Sequence, residues 1–258
     1  MYGDQKSSLN HFTIAITTCQ EEKWIAKCIC SCVSQNYENF EVLLIDAVST
    51  DRTFEIAKEY EKRYPNFRVV QSNARRPQVF NILAVTKMAR DRTVIVSVDG
   101  DDFLKHENVL SKLNDVYNSG DIWLTYGSHE SAATGCRADW TYEYPDSVVE
   151  ESAYRDHDWL ATHLRTYRRE LFLKIDEEDL KRDGEWMNTT GDQAFMLPML
   201  EMAGPRHKYV HDILYVYNDL NLNNDSNTNR EKQQEMERYI KSKNRYPLLE
   251  SLHEYESV

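Results

Sequence analysis

The chain has 258 residues, 31 of them basic and 43 acidic, giving a formal charge of −12 at pH 7. That length supports one large hydrophobic core, and so negative a balance excludes a broad nucleic-acid-binding face, which needs a basic stripe. No apolar run approaches the roughly 18 residues of a spanning helix, and the opening MYGDQKSSLN carries no apolar h-region, so a cytoplasmic protein without a secretory signal or membrane span is expected. The five cysteines are an odd number. Cys28, Cys30 and Cys32 alternate within a helical pattern and are expected to point in different directions, as free thiols in a reducing compartment rather than ligands of one metal.

In chain order, His11 to Thr18 is a β-rich run, and Glu21 to Gln35 has helical spacing with Trp24, Ile25, Cys28, Ile29 and Cys32 on one face. Phe40 to Asp46 predicts a second strand. Ser49-Thr50-Asp51 then caps a helix from about Arg52 to Arg63. A short strand over Phe67 to Gln71 precedes Pro77, which opens a helix carrying Val79, Ile82, Leu83 and Val85. Thr93 to Val98 is the fourth strand. Four strand–helix alternations with short links imply a mostly parallel sheet with right-handed crossovers.

Val94 to Phe103, VIVSVDGDDF, is the stretch with the most chemistry. An apolar, β-branched run of the kind buried in parallel sheets passes into three carboxylates within four positions. Gly100 is expected to let the backbone turn sharply at the strand end. The acids then lie at the carboxyl edge of the sheet, where open α/β folds bind ligands. Crowded carboxylates repel unless a cation joins them, and Mg2+ or Mn2+ is commonly held by one or two carboxylates plus substrate phosphates. The pattern therefore predicts a metal–diphosphate site.

Beyond it, a helix is expected over Glu107 to Tyr117 and a strand over Ile122 to Tyr126. Residues 130–160 are polar, acidic and aromatic, with little regular structure expected. His163 to Ile175 reads as a strand leading into a helix, and Thr189 to Asp192 as a helix start ahead of Gln193 to Ala203. Lys208 to Tyr217 is a further strand. Asn229 to Lys243 is a charged helix with Met236, Tyr239 and Ile240 on its apolar face.

Five ordered stretches resemble the inverting family 2 glycosyltransferases. The first strand into ITTCQ looks like the opening strand and turn of that family. Ser34 to Val42 resembles its S-x-Q-x-Y-x-x-x-E-V stretch, and Ile45 to Asp51 its D-D-G-S-T-D turn. Val98 to Asp102 is similar to its metal motif, and Gly191-Asp192-Gln193-Ala194 to the later motif that carries the base. The resemblance implies a GT-A fold: a Rossmann-like α/β architecture with a mostly parallel central sheet flanked by helices. It implies a single domain over 1–258, with a nucleotide-binding half at about 11–127, an acceptor-binding half at about 128–218, and a C-terminal loop and helix at about 219–258. The implied reaction moves a sugar from a nucleotide-diphosphate donor, UDP- or GDP-linked, to a hydroxyl of a glycan or other acceptor, with Mn2+ or Mg2+ as cofactor.

The matching residues carry roles over one by one. Asp192 is the implied general base. Asp101 and Asp99 are implied metal ligands, with Asp99 and Gly100 also at the nucleotide sugar, and His211 is a candidate third ligand. Thr17, Thr18, Asp46, Arg75 and Arg76 are expected at the nucleotide sugar, with Arg75 the better match to a diphosphate-binding arginine. Trp186 and Gly191 are expected at the acceptor, with Trp140, Tyr142 and Trp159 as further aromatic candidates. Asn81 is expected to be structural, and residues 218–229 are a candidate lid. In the D-D-G turn the second acid is Ala47 and the glycine is Val48. Because Val48 resists a positive φ, a differently shaped turn is expected. The competing readings are a nucleotidyltransferase, which would need a Gly-rich loop that TTCQEEKW lacks, and a non-catalytic sugar-nucleotide or glycan-binding module.

Overall fold

The computed structural model describes residues 8–221 and 230–253. β1 (His11–Thr18), α1 (Ile25–Val33), β2 (Phe40–Asp46), α2 (Thr53–Glu61), β3 (Phe67–Gln71), α3 (Gln78–Met88) and β4 (Thr93–Asp99) alternate as the sequence patterning predicts. A two-residue strand, β5 (Phe103–Leu104), leaves the acidic turn and leads to α4 (Val109–Asn118). β6 (Leu124–Ser131) runs five residues past the expected strand, because its polar end is held against a later strand through Ser131. The aromatic stretch forms only α5 (Asp146–Glu150) and a single 3-10 turn at Tyr154–Asp156. β7 (Thr162–Arg168), α6 (Arg169–Phe172), the small hairpin β8 (Lys181–Arg182) and β9 (Glu185–Trp186), α7 (Gly191–Ala203), β10 (His207–Tyr217) and α8 (Arg230–Ser242) complete the described elements.

Eight strands form one sheet in the order β3-β2-β1-β4-β7-β6-β10-β5. The β3-β2-β1-β4 half is parallel throughout. β6 and β10 are also parallel, while every antiparallel pairing in the large sheet involves β7 or β5. The central strands are buried on both faces, as parallel strands covered by helices must be. Their side chains alternate between two cores. Ile14, Ile16, Val94 and Val96 pack with α1 and α4, whereas Ala15 and Ile95 pack with α3 and α7. α7 is buried almost all round, which its apolar sequence permits.

The C-terminal helix is anchored by a buried ion pair. Arg155 Nε donates to Glu201 Oε1 at 2.6 Å, its Nη2 to Glu201 Oε2 at 2.9 Å, and its Nη1 to the carbonyl of Ile240 at 2.6 Å. All five cysteines are free. The expectation that Cys28, Cys30 and Cys32 diverge is corrected in part: Cys28 and Cys32, one helical turn apart, share the buried face of α1, and only Cys30 is exposed. No described helix is long and apolar enough to cross a membrane.

Candidate active site

Register brings the chemistry to one edge. Thr18 pairs with Asp46, and Thr17 with Asp99, so β1, β2 and β4 end side by side at their carboxyl ends. Above them opens a cleft of about 610 Å3 whose walls include Thr17, Thr18, Arg76, Asp99, Asp101 and Asp192. Gly100 has no positive φ; the expectation of a turn that needs glycine's backbone freedom is corrected to a requirement for space. A Cβ there would lie 2.4 Å from Thr18 Oγ1 and 2.5 Å from Thr18 Cβ. The Gly100 amide donates to the Thr17 carbonyl at 3.0 Å, clamping the acidic turn onto β1.

The three acids of that turn have different surroundings. Asp102 is buried and accepts from the Tyr215 hydroxyl at 2.8 Å and the Asn218 amide at 2.7 Å. The same hydroxyl accepts from the Asp99 amide at 3.1 Å, so β10 fixes the turn from below. Burial and the two neighbouring aspartates hold the Asp102 carboxyl well above the usual carboxylate range. Asp101 accepts from the Asn221 side-chain amide at 2.8 Å, and burial raises its pKa. Asp99 accepts from Gln78. Burial pushes Asp99 up to about 6 against the pull of Arg165, with Asp101 and Asp192 adding to the rise. Glu21, in the loop after β1, shares the Asn221 amide at 3.1 Å; burial, then the Asp101 charge, push it up to about 7.

Opposite the turn stands the first turn of α7. Asp192 is about one-third exposed and receives Arg165 Nη1 on Oδ2 at 3.0 Å. Arg165 is itself buried, on β7; its Nη2 lies 3.9 Å from Asp99 Oδ2 and 3.2 Å from His163 Nδ1. Burial and the adjacent guanidinium hold His163 well below the usual histidine range, so its ring is neutral and can accept.

The remaining expected residues divide. Thr17, Thr18, Gly100 and Gly191 line the cleft with Asp99, Asp101 and Asp192. Of the arginine pair, Arg76 lines it, with its guanidinium over the Phe80 ring, while Arg75 is exposed and outside the lining. Asn81 accepts from Ser72 and donates to the Arg76 carbonyl, shaping that loop. Asp46 is fully buried, away from the lining; it accepts from the Ser49 amide, the Ser49 hydroxyl and Gln71, and so braces the turn after β2. That bracing explains Val48. The differently shaped turn is corrected: Val48 does adopt a left-handed conformation, with φ 61°. Trp186 packs edge-on against Phe80, outside the lining, whereas Trp140 and Trp159 line the cleft. Tyr142 is exposed and also outside the lining. His211 is exposed on β10 against Tyr209 and is not brought to the acids. The lid candidate falls mostly on residues 222–229, outside the described residues, but Gln233 and Glu237 of α8 do border the cleft.

Sequence reading passed over Arg165, His163, Glu21 and Gln78. Arg165 lies in the mostly polar run THLRTYR, whose burial the sequence does not state, and once buried its guanidinium must find partners.

The residues fit a divalent cation. Hard carboxylate oxygens crowd one end of the cleft; burial raises both Asp99 and Asp101, with the Asp101 and Asp192 charges adding at Asp99, and a cation would favour their charged forms. Asp99, Asp102 and His163 also present ligand atoms within 4.8 Å of one another. Within that trio Asp102 already holds two donors and His163 touches a fixed guanidinium, so Asp99 and Asp101 are the more available pair. Among the described residues Thr18 Oγ1, Thr189 Oγ1 and Gln193 Oε1 are buried without partners, and all three residues line the cleft. That is unused hydrogen-bonding capacity suited to a polyhydroxylated ligand.

The chain is similar to known proteins in the same terms. It is 35% identical over 184 residues to the dolichyl N-acetyl-α-D-glucosaminyl phosphate 3-β-D-2,3-diacetamido-2,3-dideoxy-β-D-glucuronosyltransferase of Methanococcus voltae, covering 70% of this chain and 40% of that protein. Residues 1–349 of S. aureus TarS superpose with a TM-score of 0.64 at 19% identity, over 81% of this chain and 60% of that one. The mannosyltransferase PcManGT of Pyrobaculum calidifontis, solved with GDP-Man and Mn2+, superposes with a TM-score of 0.54 at 16% identity, over 82% and 57%. The chain thus spans less than two thirds of each of these relatives, and the two structures share the GT-A fold. The model of glycosyl transferase family 2 matches residues 13–176, more than half of the sequence, and the chain belongs to that family.

Proposed function

We propose that the chain transfers a sugar from a nucleotide-diphosphate donor to an acceptor hydroxyl with inversion, using Asp192 as general base. The observation that carries this reading is one cleft with the acidic turn on one wall and Asp192 on the other, joined through Arg165. Inversion needs a single carboxylate on the face opposite the leaving diphosphate. Asp192 takes the proton of the acceptor hydroxyl as its oxygen attacks the anomeric carbon. Asp101 and Asp99 would hold Mn2+ or Mg2+, which when bound neutralises charge on the departing diphosphate. Thr17, Thr18 and Arg76 meet the nucleotide, and Trp140 and Trp159 border the acceptor. Asp192 lies beyond the matched residues 13–176, so its role rests on geometry.

UDP and GDP sugars are the two candidate donor classes. TarS has been solved with UDP-GlcNAc and PcManGT with GDP-Man, and Ala47 removes the acid that the D-D-G turn would offer a base or ribose. One continuous sheet from β1 to β10 supports a single domain. The test is release of UDP or GDP from a panel of nucleotide sugars with Mn2+, with and without sugar acceptors. Wild type releases nucleotide from one donor, and Asp192→Asn loses about 100-fold or more, the usual scale for a missing general base. Equal turnover by both proteins rejects Asp192 as base; no turnover by wild type favours a binding module.

A further inference from the structure

We infer that Arg165 is a positioning residue, whose guanidinium aims the Asp192 carboxylate for proton transfer and holds it apart from the acidic turn; this rests on the transferase reading above. Arg165 sits on β7 opposite Ser97 of β4, two residues before Asp99. It is 5% exposed yet lines the cleft.

A purely structural buried arginine is best satisfied by one carboxylate gripped with both prongs, as Arg155 grips Glu201. Arg165 instead divides its fork. Nη1 takes one oxygen of Asp192 on α7, and Nη2 faces Asp99 on β4 and His163 on its own strand. Asp192 is therefore held through Oδ2 alone. Among the described residues nothing engages Oδ1, which leaves that oxygen for an acceptor hydroxyl. The neutral His163 ring gives Nη2 an acceptor that adds no third negative charge. The planar, permanently charged fork reaches all three partners at once, which a lysine ammonium on a flexible stem does not. Released from it, Asp192 would be free to rotate at the mouth of the cleft, and a displacement near 1 Å can cost about 100-fold in rate.

The test uses the donor and acceptor on which wild type turns over, with Arg165→Met, Arg165→Lys, Asp192→Asn and the Arg165→Met/Asp192→Asn double variant. UDP or GDP affinity with Mn2+ is measured by calorimetry as the control. The expected result is a loss of about 100-fold in kcat for Arg165→Met at a donor KM within about 3-fold of wild type, with about 10-fold recovered by Arg165→Lys. The double variant should be no slower than Asp192→Asn alone, because a base that is gone needs no aiming. Should Arg165→Met not fold, Arg165→Lys decides: a kcat about 10-fold below wild type at unchanged donor KM supports the role, and an unchanged kcat overturns it. Arg165→Met at wild-type kcat, a loss confined to KM and nucleotide affinity, or a multiplicative double variant also overturns it. A wild type that releases no nucleotide from any donor brings down the base reading and this role together, whereas an active wild type matched by Arg165→Met brings down this role alone.

Discussion

Replacing Gly100 with alanine inserts one methyl where the acidic turn rests on β1. The new Cβ would sit 2.5 Å from Thr18 Cβ and 3.1 Å from Thr18 Cα. Rotating Thr18 moves its hydroxyl but leaves Cβ and Cα in place, so the turn and the strand must part by about 1 Å to reach ordinary contact. Overpacking of this kind costs about 1–3 kcal/mol. Stretching the 3.0 Å bond from the Gly100 amide to the Thr17 carbonyl removes about 1 kcal/mol more. A total of about 2–4 kcal/mol lowers Tm by about 4–16 °C in a chain of this size. Because Asp99 and Asp101 flank the displaced residue, nucleoside-diphosphate affinity in Mn2+ should fall as well. Differential scanning fluorimetry, with and without UDP or GDP and Mn2+, reads both effects. An alanine variant with wild-type Tm and wild-type affinity would refute the claim that close approach to Thr18, rather than backbone freedom, demands glycine here.

Val48→Gly relieves a β-branched residue held at φ 61°. Relief of about 1–2 kcal/mol exceeds the extra unfolded-state entropy of about 0.5–1 kcal/mol, so chemical denaturation should show a gain of up to about 1.5 kcal/mol, and a loss would contradict the strain. In EDTA, Glu21, raised to about 7, binds a proton more readily folded than unfolded. Its contribution to stability is therefore lost as pH rises from about 4.5 through about 7. Several buried histidines run the other way, so the comparison is with Glu21→Gln: its stability advantage over wild type should widen from pH 5 to pH 7.5, and a constant or narrowing gap would contradict the assignment.

The parallel half of the fold was legible because β1, β2 and β4 are buried on both faces and read as continuous apolar runs. The acidic turn was legible for the same reason: three carboxylates cannot continue a buried strand. β5 was not, since two residues carry no periodicity and Phe103–Leu104 forms a strand through long-range pairing with Val216 and Tyr215. Long-range pairing also carried β6 past its apolar core. Within the site, local motifs placed Thr17, Asp99, Asp101 and Asp192 on one cleft, because each ends or begins an element at the same sheet edge. Arg165 and His163 were not assigned a role, since what they do depends on β7 inserting between β4 and β6, a pairing no local pattern states. Asp46 and Trp186 stand outside the cleft lining: the residue type suited a ligand, but the structure shows turn bracing for one and packing against Phe80 for the other.

The account depends above all on a cation joining the acids after β4 to a diphosphate. Isothermal titration of UDP and GDP into the protein, with Mn2+ and with EDTA, in wild type and Asp101→Asn, tests this most directly. The account predicts Mn2+-dependent binding of at least one nucleotide by wild type, and its loss in a folded Asp101→Asn. Equal affinity in the two proteins, or binding indifferent to Mn2+, would contradict it.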